Sequence, residues 1–256
     1  MSLDKYCLTF FCVFAKIIKK EKLMRVFAIS DLHLSFGANK PMDVFGGHWE
    51  NYLEKIEEDW NARVSDEDIV LIAGDISWAM KLEDTAEDFQ FLSRLKGKKV
   101  IIRGNHDYWW SSISAVRAKL PENVFAIQND AIRFGDTIIC GTRGWLVPEG
   151  GFETEHDEKI FKREVIRLEL TLQTASRLKK EGDKVICMLH YPPTNSRREP
   201  SEFTALLEKY GVDIVVFGHL HGKKVRADLE YKRGGITYHL TSCDILQNKL
   251  VEILVL

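Results

Sequence analysis

The chain lacks the cysteine spacing of a disulfide framework or a thiolate metal site. Its five cysteines, Cys7, Cys12, Cys140, Cys187 and Cys243, are odd in number and contain no C-x-x-C pair. Cys140 and Cys187 fall inside apolar runs and read as small buried hydrophobes, and the set as a whole fits a reducing cytoplasm. Charge is not in excess either. Lys+Arg number 36 against 38 Asp+Glu, a formal net charge of −2, which removes the bulk electrostatic reason to expect nucleic acid. There is no Pro/Gly/Ser linker, internal repeat or low-complexity tract, so the 256 residues are expected to form one domain with a substantial core.

The N-terminal stretch Tyr6 to Ile18, apolar apart from Thr9 and Lys16, is too short for the ~20 residues of a membrane-spanning helix. Its positive charge comes at the end, at Lys16, Lys19, Lys20 and Lys22, the reverse of a signal peptide. Met24 to Asp31 reads as a natural start for the domain. Residues 1–23 are therefore read as a dispensable extension to a domain of residues 24–256, with a peripheral membrane anchor as the second reading.

What the chain does have is an ordered series of metal-ligand residue types, each directly behind a short apolar run. Asp31-Leu-His33 follows 26–30, Gly74-Asp75 follows 69–73, and Gly104-Asn105-His106-Asp107 follows 100–103. His190 follows 185–189, and Gly218-His219-Leu-His221 follows 214–217. The runs are rich in β-branched residues and short enough for buried strands. In an open α/β sheet the loops at the carboxyl ends of the strands gather at one edge and build the ligand site. Five distant segments are thus expected to converge. D-x-H or G-H-x-H alone arises by chance, whereas all five in order, each behind a strand, do not.

This series resembles the calcineurin-like metallophosphoesterases, from about Met24 to the C-terminus. The resemblance implies an α/β four-layer α-β-β-α sandwich of two mixed sheets with helices outside. It also implies a centre of two divalent metal ions. Asp75 would bridge them, Asp31, His33 and His221 would complete one ion, and Asn105, His190 and His219 the other. Phosphate-ester hydrolysis at neutral pH needs a hydroxide and neutralised phosphoryl charge. Two ions ~3.5–4 Å apart supply both, and need an anion between them. Imidazole, carboxylate and amide oxygen without thiolate suit Mn, Fe, Zn or Co/Ni. The family's counterpart of His106 protonates the leaving group, work that suits a near-neutral pKa. Asp107 stands where it either orients His106 or holds the loop by a structural hydrogen bond, and both residues are candidates for catalysis. Protein phosphatases of the superfamily carry G-D-x-x-D-R-G after the second strand. Here the run is Gly74-Asp75-Ile-Ser-Trp78-Ala-Met, which excludes that subgroup.

Between the motifs, Trp49, Leu53, Ile56 and Trp60 share one helical face. Helices are expected at 84–95, with Thr85 and Asp88 as a capping-type pair, and at 111–120, stopped by Pro121. Segments 124–127, 131–134 and 137–140 read as strands starting a second sheet, and 223–256 as three more, broken at 232–235 and near 247–248. Strand-helix alternation with strand-only stretches fits two sheets packed face to face. The insertion between Cys140 and Val185, with a charged helical pattern at 155–180, is expected to overhang the metals, as is the 191–200 loop. Arg143, Arg197 and Arg198 lie in these loops and are candidate phosphate contacts. Trp78, Trp109 and Trp110 either wall the pocket or pack in the core. His48, His156 and His239 have no motif partner and are read as surface or packing residues.

The composite reading is a cytoplasmic, dinuclear metal-dependent phosphoesterase acting by direct water attack on a small phosphodiester or phosphomonoester. Neither duplex nucleic acid nor membrane is expected as a partner, apart from a peripheral role of 1–23. Nucleic-acid or cyclic-nucleotide phosphodiesterase and lipid-linked pyrophosphatase are the alternatives within the class. A non-catalytic scaffold on the same fold would have lost ligands or the general acid, and every one is present.

Overall fold

The computed structural model describes residues 23–38, 40–222 and 227–256. Apart from Leu23, the expected extension 1–23 lies outside the described residues. The β-branched runs form strands: β1 (Arg25–Ile29), β2 (Ile69–Ile72), β3 (Lys98–Ile101) and β4 (Val124–Ala126). They are followed by β5 (Asp130–Phe134), β6 (Thr137–Thr142), β7 (Lys184–Leu189), β8 (Ile214–Phe217), β9 (Glu230–Arg233), β10 (Ile236–Leu240) and β11 (Val251–Val255). One sheet has the order β11-β1-β2-β3-β4 and the other β5-β6-β7-β8-β10-β9. Both are mixed: β1, β2, β3 and β4 run parallel, as do β6, β7, β8 and β10, while β11, β5 and β9 pair antiparallel at the edges.

Alternation along each strand sorts the side chains into three apolar layers. Val26, Ala28, Leu71 and Val100 from the first sheet meet Ile139, Ile186, Met188 and Val216 from the second. The opposite face of the first sheet, Phe27, Ile29, Val70 and Ile72, is covered by α1 (Tyr52–Arg63), α2 (Ala86–Arg94) and α3 (Ile113–Lys119), with Trp60, Trp109 and Trp110 in that layer. The outer face of the second sheet, Ile138, Val185, Val215 and Phe217, carries α4 (Glu155–Leu178) and α5 (Glu202–Lys209). Each large apolar side chain buried in this way contributes about 1.5–3 kcal/mol against chain entropy. The result is the expected α-β-β-α sandwich. No helix among the described residues is long and apolar enough to cross a membrane.

Three local expectations change. Strand β4 closes the first sheet instead of opening the second, because it pairs parallel with β3. Helix α4, expected to overhang the metals, lies instead as an outer layer on β5, β6 and α5 through Leu168, Leu172 and Ala175. Asp88 does not cap α2. Its carboxylate accepts from Phe36 N and Ser77 Oγ, tying two motif loops together.

Candidate metal centre

Register sets the site. Val26 pairs with Ile69 and Ile29 with Ile72, so β1 and β2 end level and their loops run on side by side. Asp31 N donates to Gly74 O at 2.9 Å and His33 N to Asp75 O at 3.0 Å. The chain turns sharply there. Of nine non-glycine residues with positive φ among the described residues, Asp31, His33, Asp75 and His219 are four, and backbone strain gathers where function holds it in place. Two motif glycines are explained by crowding. A Cβ at Gly104 would overlap the Asp75 carboxylate, and one at Gly218 would overlap the Asp31 carboxylate and Ser30 hydroxyl.

All seven ligand candidates converge. Asp31, His33, Asp75 and His221 each bring one donor atom to within 4.8 Å of the others. Beside them, Asn105 Oδ1 lies 2.7 Å from His190 Nε2 and 2.8 Å from His219 Nδ1, and His190 Nε2 is 3.5 Å from Asp75 Oδ2. His190 Nδ1 donates to Ala73 O at 3.0 Å, which leaves Nε2 as a bare lone pair facing the oxygens of Asn105 and Asp75. Asp75 Oδ2 is buried without a hydrogen-bond partner. Imidazole nitrogens and side-chain oxygens that converge in this way fit a cation, and oxygen with imidazole suits a divalent ion of the first transition row.

The titration shifts follow from the same crowding. Burial pushes Asp75 up to about 9, helped by the charges of Asp31 and Asp107. Asp31 stays below its ordinary value despite full burial, because His221, His190 and His33 surround it. Burial lowers His33 to about 3 and His219 to about 4, and also holds His190 down. His221 moves the other way. Burial opposes its charge, but Asp31 and Asp244 raise it to about 10, with Nε2 3.0 Å from Asp31 Oδ1 and Nδ1 3.0 Å from Asp244 Oδ1. A proton on His221 supplies there the positive charge that a cation would bring.

His106 stands at the edge of this group, its backbone N donating to Asp75 Oδ1 at 2.8 Å. It lines a cleft of about 760 Å³ with His33, His221, Trp49, Trp78 and Phe45. Trp78 stacks on His33 at 4.8 Å and sits 4.6 Å from His106, while Lys40 Nζ lies 4.5 Å over Trp78. Of the three tryptophans beside motif loops, Trp78 is the wall; Trp109 and Trp110 are core. Asp107 is fully buried, and its carboxylate accepts from Gly104 N, Ile76 N, Ser77 N and Trp109 Nε1. No hydrogen bond joins it to the His106 ring among the described residues, so the geometry is that of a loop tie.

The three candidate arginines do not line this cleft. Arg143 pairs with the buried Glu164 at 3.5 Å and covers Trp145. Arg197 pairs with Glu199 at 3.8 Å, and Arg198 with Asp228 beside Tyr231. Sequence reasoning missed Asp244, which fixes His221, and Tyr191, whose ring lies 4.1 Å from that of His219. It also misplaced His48, which walls the cleft 3.8 Å from Asp244. Asp244 follows β10, the parallel neighbour of β8, so its place at the same sheet edge was the available signal. His239 is buried in β10 beside Glu230.

Among solved structures, the fold is similar to a phosphopantetheinyl hydrolase of Mycobacterium tuberculosis, at TM-score 0.54 and 16% identity over 91% of this chain and 96% of that one. It is also similar to the protein TT1561 of Thermus thermophilus, at TM-score 0.53 and 15% identity over 90% and 98%. No curated protein sequence matches. The sequence model of the calcineurin-like phosphoesterases matches residues 24–223, which contain every ligand candidate. The chain belongs to the calcineurin-like phosphoesterase family.

Proposed function

We propose that the protein hydrolyses a small phosphate ester, a diester or monoester, by direct attack of water at a two-metal centre. The observation that carries this reading is the convergence of seven ligand-type side chains from five loops around the unpartnered Asp75 Oδ2. Asp31, His33, Asp75 and His221 would hold one ion, and Asp75, Asn105, His190 and His219 the other, with Mn, Fe, Zn or Co/Ni all suited to these donors. When bound, two such ions would acidify a water and neutralise charge on the phosphoryl oxygens.

His106 is the group placed to hand a proton to the leaving oxygen. Burial, then His221 and Lys40, lowers its pKa, and an arriving phosphate anion raises it again, so the proton is loaded together with the substrate. Trp49, Trp78 and Phe45 give the cleft an apolar wall beside His106, and Asp107 holds the loops of β2 and β3 at fixed separation. A cleft of about 760 Å³ accommodates a small ester and not a duplex. The free, buried Cys140, Cys187 and Cys243 suit a reducing, cytoplasmic setting. The Mycobacterium tuberculosis neighbour is named for hydrolysis of a phosphopantetheinyl group, which agrees with a phosphoester reading; at 16% identity it lends no substrate.

The test joins metal analysis to turnover of a panel of esters. About two ions per chain and manganese-dependent cleavage of nitrophenyl phosphate or bis-nitrophenyl phosphate are expected, with linear duplex DNA left intact. A fully metallated protein that turns over none of the esters, or one that degrades duplex DNA efficiently, would overturn the reading.

A further inference from the structure

A second cavity, of about 270 Å³, opens where the ends of β3 and β6 meet the first half of α4. Arg103, Arg143, Arg163 and Arg167 line it around one carboxylate, Glu164. Glu164 is fully buried, and its Oε1 takes Arg167 Nη1 at 2.6 Å, Arg143 Nη2 at 3.5 Å and Arg163 Nε at 3.9 Å. Its Oε2 accepts from Thr142 Oγ1 at 3.4 Å. One carboxylate against four guanidinium groups leaves an excess of three positive charges, and arginine does not neutralise itself by losing a proton. Arg103 makes no side-chain hydrogen bond or ion pair among the described residues. Its Nε and that of Arg143 are buried without an acceptor. Donors and charge in this state call for an oxyanion, and the planar guanidinium fork matches phosphate.

The cavity also adjoins the metal centre. Arg103 directly precedes Gly104-Asn105, and the Arg143 carbonyl accepts from His190 N at 3.0 Å and Tyr191 N at 3.1 Å. It therefore backs onto two metal-ligand candidates while being lined by neither. We propose that this cavity binds a phosphate group at a site separate from the metal centre. The group is either a second phosphoryl group of the substrate or a free phosphate. The first source rests on the phosphoesterase reading above; the second does not.

Arg103→Gln tests this cleanly, because the Arg103 side chain holds no other group in place. Arg163→Gln, on the exposed side of α4, is the second variant. Full-length, metal-loaded protein is titrated with inorganic phosphate by calorimetry, with metal content and melting temperature measured in parallel. Both variants should keep their metal and fold while one class of phosphate site weakens about 10- to 100-fold, the usual worth of a charge-assisted pair. The ratio of kcat/KM for a sugar bisphosphate to that for its monophosphate then separates the sources. A fall in that ratio assigns the group to the substrate, and an unchanged ratio assigns it to free phosphate. Phosphate binding by both variants identical to that of the unaltered protein overturns the proposal. Absence of hydrolysis by the unaltered, metal-loaded protein, with the phosphate site still weakened in both variants, would sink the phosphoesterase reading alone.

Discussion

Loading the centre with metal should expel protons. In the metal-free protein Asp75 is held at about 9 and His221 at about 10, so both carry a proton at pH 7. His33 and His219, lowered to about 3 and about 4, carry none. Cation and proton compete for the same atoms, so affinity must fall as pH falls throughout the range below about 9. With about two protons displaced per loaded centre, apparent affinity should drop about 100-fold per pH unit, or about 2.7 kcal/mol between about pH 7.5 and about pH 6.5. Manganese is titrated into the full-length protein by calorimetry in several buffers of different ionisation enthalpy. The slope of apparent enthalpy against buffer enthalpy counts the protons released. A slope near zero, or an affinity flat between those two pH values, would refute the claim that Asp75 and His221 hold protons that the metal must displace.

Asp75→Asn should show the opposing demands on that residue. Its folded pKa lies above the ordinary 3.8, so the stability penalty grows as pH rises from about 4 to about 9 and reaches on the order of a few kcal/mol near neutrality. Chelator-treated variant should melt above chelator-treated wild type at about pH 8 and coincide with it near pH 4. Its metal content should fall well below two ions, and an unchanged melting difference across pH would contradict the assignment. His106→Asn should retain metal yet slow hydrolysis by ~10²–10⁴, most for alkoxide leaving groups and least for nitrophenolate. Equal losses on both would make His106 structural.

The sandwich and the convergence of the seven ligand candidates were legible because each motif ends a buried strand, and strand direction alone carries it to the shared edge. Side chains whose role depends on what lies across space were not. Asp244 is separated from His221 by a turn and two strands, and nothing local distinguishes it from any solvated aspartate. The helical pattern at 155–180 predicted α4 correctly, but periodicity says which face is apolar and not which layer it covers. Its Leu168 and Leu172 seat it on the second sheet, away from the cleft. The arginines of the 191–200 loop were drawn toward the substrate by proximity in sequence. Glu199 and Asp228 pair with them, and neither carboxylate could be chosen beforehand as the partner.

Strand β11 pairs with β1, and the turn after β10 supports the first ligand loop: Thr241 Oγ1 donates to Ser30 Oγ across 211 residues, and Cys243 Sγ to the Asp31 carbonyl. A chain emerging from the ribosome thus makes its first ligand long before the segments that hold it. Until β11 is synthesised, β1 presents a bare edge at which another chain could pair. Closing so wide a loop is slow compared with forming helices or hairpins. Any metal held by this site would therefore be captured only after β10 and β11 have returned to β1, and not by a chain that still lacks them.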